Sequence, residues 1–353
     1  MKTRKSILLI MLFLATASTS CNGTQTISED PNKPETETEV LLYPFASNGK
    51  YGYIDGSGKV IIEPQFDVAR LFSEGLAAVG IGESFIYKWG FIDNTGKYVI
   101  EPQFEDANSF SEGLSRVRKG LCGYIDKTGK YVIEPKYIDA LDFSEGLAAV
   151  RENLKWGYID MSGNYVIEPQ LDDAQSFADS LAIITVGDWD NSKNGFINRK
   201  GEIVIPVIFN RVYNFSEGLA SAYTEYGHEG FIDRTGKFVI SPIFDWTNSF
   251  SEGLAPVRDK AYKCGYIDKN GNYAIDPQYE YAGLFSEGLA MVMYNGKYGY
   301  IDKTGVFVID PQFEKAGDFI GELAPVMLNG KFHYINKKGE IVWIGEQMFF
   351  PLK

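Results

Sequence analysis

The sequence predicts an all-β fold: a tandem array of about nine small antiparallel repeats. Three observations predict it. One eight-residue phrase recurs nine times, a second phrase recurs between its copies, and glycine and aromatic residues are abundant throughout (37 Gly, 22 Tyr, 24 Phe). Many turns with many aromatics is the composition of short strands joined tightly.

The first phrase is a variable residue, Gly, Tyr or Phe, Ile, Asp or Asn, two residues, and Gly. It reads YGYIDGSG at 51, WGFIDNTG at 89, CGYIDKTG at 122, WGYIDMSG at 156 and NGFINRKG at 194. It continues as EGFIDRTG at 229, CGYIDKNG at 264 and YGYIDKTG at 298, and ends as FHYINKKG at 332, where His333 replaces the first Gly. Successive copies start 33 to 38 residues apart. A fixed period in this range marks a repeat architecture. The second phrase, FSEGLA, begins at 72, 143, 215, 250 and 285, with the variants FSEGLS at 110, FADSLA at 177 and FIGELA at 319.

Each unit reads as a three-stranded meander. In 147–169 the run LAAVR suits a strand, residues 152–155 a hairpin turn, and WGYID a second strand. The equivalent turn at 294–297 reads YNGK, and Asn-Gly is a strong hairpin signal. Asp160 to Gly163 forms the next turn, where the Asp side chain accepts backbone N–H groups. NYVIEP forms the third strand, and Pro169, which has no N–H to donate, is expected to end its pairing. About ten residues then cross to the next unit, with at most a single helical turn near their small residue. The Phe of FSEGLA anchors the crossing in the core, and the recurring Glu is expected to bond turn N–H groups.

A lone meander has too small a core to stand alone, so neighbouring units must cover each other. The array runs from about 40 to 344. Both ends start and finish on equivalent strands, with no sign of strand exchange. The reading therefore favours an open β-solenoid or superhelix, with a propeller-like ring as the alternative.

These phrases resemble the WG (or KWG) repeat family of bacterial proteins, whose dipeptide stands at Trp89–Gly90 and Trp156–Gly157. The resemblance covers nearly all of 40–344. It implies a repeat architecture and an interaction role, and no reaction.

The amino-terminal segment is a leader. Lys2, Arg4 and Lys5 precede an apolar run from Ile7 to Leu14, and Ser18, Thr19 and Ser20 lead to Cys21. This resembles a bacterial lipoprotein signal, although no Leu stands three residues before the Cys. The resemblance implies removal of 1–20, lipid on Cys21, and an exported chain anchored to the envelope, most simply at the outer membrane. Residues 21–39 contain SEDPNKPETETE and read as an acidic, extended tether. Residues 345–353 form a short tail. No later stretch has the run of about 18 apolar residues that a membrane span needs.

Losing Lys2, Arg4 and Lys5 takes the formal charge from −13 to −16. Such a surface repels phosphate backbones, which excludes general nucleic-acid binding. An envelope protein or a glycan remains as partner, met by a monomeric chain.

Catalytic chemistry finds little footing. The two histidines, His228 and His333, stand apart and suggest neither a triad nor a zinc site. No catalytic residue, metal or cofactor is expected. Cys122 and Cys264 hold the place of Trp89 and Trp156 in their own repeats and read as small packed residues. Departures from the repeat point to function better than the consensus does. In 185–195 the hairpin stretches to TVGDWDNSKNG and carries Trp189 between Asp188 and Asp190. In 80–88 it reads GIGESFIYK, with Phe85 and Tyr87 expected to be exposed. Trp246 follows an acid in the crossing segment. These six residues are the candidate ligand contacts. The expected function is a non-catalytic envelope lipoprotein presenting a repeat surface. The alternatives are a hydrolase using acids on the divergent loops and a purely structural spacer.

Overall fold

The computed structural model describes residues 41–83, 86–187, 191–224 and 227–345. The leader, Cys21, the tether 21–39 and the tail after Gly345 lie outside the described residues. Every named element among them is a β-strand. The strands form nine antiparallel sheets in chain order, each from one contiguous stretch. The first holds Tyr43–Ser47, Lys50–Ile54 and Val60–Phe66. The others span 68–104, 106–137, 139–171, 173–209, 211–244, 246–279, 281–313 and 315–344.

The predicted meander is present in every sheet, and eight sheets add a fourth strand. In the fourth sheet Asp139–Ala140 pairs with Leu147–Glu152, Asp139 opposite Arg151 and Ala140 opposite Val150. The crossing segment thus supplies a two-residue strand in place of the helical turn allowed by the sequence. The reason is local: the edge of Leu147–Glu152 carries free N–H and C=O groups, and the crossing chain satisfies them.

Pro169 does not end its strand, which runs Tyr165–Leu171. Trp156 faces Leu171 and Tyr158 faces Ile167, with a register shift between the two pairs. The bulge removes the need for a proline N–H. It also explains the glycine of the Trp-Gly dipeptide. A Cβ on Gly157 would lie 2.5 Å from the Ile167 carbonyl oxygen and 2.8 Å from the Pro169 nitrogen. Where the bulge is missing the glycine is not needed: His333 faces Ile344 with no shift before Tyr334.

Consecutive sheets pack face to face. Between the fourth and fifth, Leu147, Ala149, Tyr158 and Ile167 meet Ala174, Phe177, Ile184 and Ile197. The Phe of each FSEGLA phrase packs on the Tyr or Phe of the preceding sheet's GYID phrase, as Tyr158 does on Phe177 at 4.9 Å between ring centroids. Where that residue is Tyr, its hydroxyl can donate across the seam: Tyr124 to the Leu141 carbonyl at 2.6 Å, Tyr158 to Gln175 at 2.6 Å, Tyr300 to Gly317 at 2.7 Å.

The FSEG acids bond turn N–H groups, as expected, but in the next repeat and not in their own. Glu112 accepts from Gly146 N at 2.8 Å, Glu145 from Ser180 N at 3.0 Å, and Glu217 from Gly253 N at 3.1 Å. Lysines of the following GYID turns add ion pairs, such as Lys269 to Glu217 at 3.0 Å.

The array closes into a propeller-like ring, the alternative in the sequence reading and a correction of the favoured open form. Tyr334 in the ninth sheet donates to the Pro44 carbonyl in the first at 2.9 Å. Tyr43 donates to the Ile320 carbonyl at 2.9 Å and accepts from Glu322 N at 3.0 Å. Tyr43, Phe45 and Ile54 share one core with Leu323, Phe332 and Tyr334. Each later turn glycine stands against the preceding sheet, as Gly163 does against Ile133, and Gly58 stands against Val342 of the ninth. Among the described residues the ends meet through side-chain packing and these tyrosine hydrogen bonds, without the strand exchange whose absence argued for an open form. Closed rings leave each sheet one edge toward the axis and one toward the outside. The last strand of each sheet, with about half of its residues exposed, forms the outer rim, and the two-residue strands the inner edge.

Candidate functional site: the seam between the fourth and fifth sheets

The stretched hairpin singled out in the sequence opens beside a pocket of about 390 Å³. Its walls come from two sheets. Arg151 and Trp156 belong to the fourth, and Asp172, Asp173, Thr185, Gly187 and Ser192 to the link and the fifth. Arg151 and Trp156 face each other directly in the antiparallel pair Leu147–Glu152 with Lys155–Asp160. That hairpin is tight, with Asn153 and Leu154 both at positive φ (49° and 66°). In the fifth sheet Gly187 (φ 104°) follows the strand Ala182–Val186, and its antiparallel partner begins at Lys193.

Polar groups line this space in different states of use. Asp172 accepts from Lys155 Nζ at 2.5 Å and from Gly187 N at 3.3 Å. It therefore ties one hairpin to the other, and the Lys155 bond holds its carboxyl below the ordinary aspartate range. Asp173 accepts from Ala174 N through Oδ1 at 3.0 Å. Thr185 donates to Asn194 Oδ1 at 2.9 Å. The Arg151 guanidinium lines the pocket with a buried Nε that has no hydrogen-bond partner. Trp156 is only 7% exposed, so it offers the pocket part of its ring and the core the rest.

The structure separates the six predicted contact residues. Asp188, Trp189 and Asp190 lie outside the described residues, but the residues that flank them, Gly187 and Ser192, border the pocket. Phe85 also lies outside them. Tyr87 corrects its expectation: it is half-buried and packs edge-on against Trp89, 6.5 Å between centroids. Trp246 sits half-buried in the short strand of the seventh sheet opposite Arg258, two sheets beyond the fifth. What the sequence reading missed is the opposite wall, Arg151, Trp156, Asp172 and Asp173. Its clearest signal was Leu171, which stands where the last strands of the other first eight sheets end in Phe or Tyr.

Two further polar clusters span seams, and both are internally bonded. Arg116 donates to Asp106 at 2.7 Å and to Asn108 at 2.9 Å, while Asn108 donates to both oxygens of Asp142 at 3.0 Å. Glu229, in the place of the dipeptide's Trp, accepts from Thr247 N at 2.6 Å and Oγ1 at 2.7 Å. Burial pushes the Glu229 and Asp142 carboxyls up. Among the described residues no three His, Cys, Asp or Glu side chains are grouped to hold a metal. Cys122 and Cys264 are buried free thiols.

The sequence model of the WG containing repeat matches eight times, at 51–83, 89–120, 123–156, 156–188, 195–224, 230–263, 265–298 and 298–332. The chain belongs to the WG-repeat family. Each match runs from one dipeptide position toward the next and therefore straddles two sheets of the WG-repeat ring. The pocket falls where the third and fourth matches join, at Trp156. No curated protein sequence matches this WG-repeat chain. Apo AztD from Citrobacter koseri is similar to it in structure at 12% identity and a TM-score of 0.44, over 88% of this chain and 95% of that one. BamB from Moraxella catarrhalis is similar at 10% identity and a TM-score of 0.40, over 85% and 94%. Hsv2p from Kluyveromyces lactis is similar at 9% identity and a TM-score of 0.40, over 67% and 92%.

Proposed function

We propose that this WG-repeat chain is a non-catalytic envelope lipoprotein, anchored through Cys21, that binds a protein or glycan at the seam between its fourth and fifth sheets. The observation that carries the reading is the pocket at this seam, which brings Arg151 and Trp156 of the fourth sheet together with Asp172, Asp173 and Thr185 beside the divergent hairpin. The acids elsewhere support binding over hydrolysis. FSEG carboxylates hold the next repeat, and GYID carboxylates hold their own turns, as Asp93 does with Thr95 N at 2.9 Å and Lys97 N at 3.1 Å. A glycoside hydrolase needs two carboxyls in contrasting environments across one cleft.

The test is capture from envelope extracts by the full-length chain and by its Arg151→Gln form. A saturable partner retained by the first and lost by the second supports the reading. Sustained glycan turnover by the purified chain would replace it with the hydrolase. Labelled palmitate incorporated by the native chain and not by Cys21→Ser tests the anchor.

A further inference from the structure

We propose that two copies of this chain pair through the outer rims of the fifth and sixth sheets, in place of the monomer expected from the sequence. None of the rim residues involved lines the Trp156 pocket.

Comparison among the repeats picks out this strip. The last strand of each of the first eight sheets is a seven-residue edge. In six of them the fourth residue is Glu or Asp and the sixth is Gln or Lys, as Glu168 and Gln170 are in Tyr165–Leu171. The other two are neighbours. Ile203–Phe209 carries Pro206 and Ile208 at these places, and Phe238–Phe244 carries Ser241 and Ile243. Charged side chains on an edge keep it from joining another chain, and both of these edges lack them. Ile203, Val204, Ile208, Val239 and Ile243 are left between 39% and 61% exposed.

The area suits a dimer. At those exposures the five aliphatic side chains present roughly 450 Å², a patch of the size that marks interaction sites on monomers. A standard interface takes about 800 Å² from each partner and is about 65% apolar in homodimers, so it calls for roughly 500 Å² of apolar surface per copy. The strip supplies most of that.

Charge selects the partner. The chain carries a formal charge of −13, so two copies repel wherever carboxylates line their rims. The two strands of the strip hold no Asp, Glu, Lys or Arg, and a charged partner finds no counter-charge on them. A second copy brings the same uncharged strip. Two-fold pairing covers both strips at once and leaves neither open to a third copy. A bilayer surface fits less well. The five exposed side chains include no aromatic to seat among headgroups, and Glu168 and Asp276 stand on the rims to either side.

The experiment is sedimentation equilibrium on the full-length chain carrying Cys21→Ser, so that no acyl group drives association. The same chain is then measured with Ile208→Gln and Ile243→Gln together, and separately with Ser241→Glu. These substitutions install what the adjacent rims carry at the same places, Gln170 and Gln278 in one case and an acid in the other, so the fold accommodates them. Val99→Gln, an equally exposed aliphatic on the rim of the second sheet, is the control. The expected result is a dimer at micromolar concentration. The double substitution and Ser241→Glu should each weaken it tenfold or more at unchanged melting temperature in dilute solution, and Val99→Gln should leave it alone. A chain that stays monomeric would overturn the proposal. So would dimers indifferent to the rim substitutions, dimers weakened equally by Val99→Gln, or assembly that grows past two copies. A monomer that floats with phosphatidylglycerol vesicles, or retains a different envelope protein, only while Ile208 and Ile243 are intact would overturn it too and would give the strip to lipid or to that partner.

Discussion

The Tyr334 hydroxyl bonds the Pro44 carbonyl at 2.9 Å, joining residues 290 positions apart. The same bond recurs inside the array, from Tyr124 to Leu141 and from Tyr158 to Gln175. The closing seam therefore repeats an internal device on a first sheet that has only three strands among the described residues. Tyr334→Phe leaves a buried carbonyl unpaired and is expected to cost about 1–2 kcal/mol, a few degrees in melting temperature. Amide exchange should rise in Tyr43–Ser47 and Lys331–Asn336 and stay level on the far side of the ring. Uniform acceleration around the ring would contradict the seam's local role.

Two glycines of the repeat are needed for different reasons, and denaturant titration should separate them. A Cβ on Gly90 would sit 2.5 Å from the Ile100 carbonyl oxygen and 2.7 Å from the Pro102 nitrogen, both backbone atoms. Gly90→Ala is expected to cost about 3 kcal/mol by overpacking. Gly113 has open space around it but a φ of 84°. Gly113→Ala should cost only the conformational strain, about 1–2 kcal/mol.

Glu217 combines a useful carboxylate with an unfavourable backbone. Its φ is 54°, and it bonds Gly253 N and Lys269 Nζ, at 3.1 Å and 3.0 Å. Alanine removes the carboxylate and keeps the strain, whereas glycine removes both. Glu217→Ala should therefore be less stable than Glu217→Gly by about 1 kcal/mol, even though both lose the same bonds. Equal stabilities would show that the left-handed backbone carries no cost here.

Glu229 gives a pH test. It is 3% exposed, and burial raises its carboxyl above the ordinary value near 4.5 despite the Thr247 bonds and the nearby Arg211 and Arg258. The folded state thus holds this proton more tightly than the unfolded state does. Its contribution to stability is full below about pH 4.5 and is lost as pH rises through the folded value. Glu229→Gln keeps an oxygen for Thr247 N and Oγ1 and carries no charge. The substituted chain should melt at or above the native chain at pH 8, and the gap should close toward pH 4. A gap that widens on acidification would reverse the assigned direction.

The GYID turns were legible to the atom type. Asp93 takes two turn N–H groups through Oδ1, and Asn198 and Asn336 take the same pair in their own repeats. Only local geometry is involved, so an eight-residue phrase carries the information. The FSEG glutamate was half legible. Its partner type was readable from repetition, but its partner lies about 35 residues on, for instance Gly253 for Glu217, because the bond crosses a seam. The pocket was legible on one side, through the stretched hairpin. The opposite wall was hidden, because Arg118 and Arg258 stand where Arg151 does in other repeats.

By itself the sequence determined nine meanders, their turns and which faces they must bury, since alternation, turn chemistry and a fixed period are properties of neighbouring residues. The tertiary structure decided that the ninth sheet meets the first, and that Arg151 and Trp156 share a pocket with Asp172 and Asp173. Closure depends on the small rotation between successive sheets, set by side-chain packing at every seam and summed around the array. No single repeat records that sum, and only the folded chain displays it.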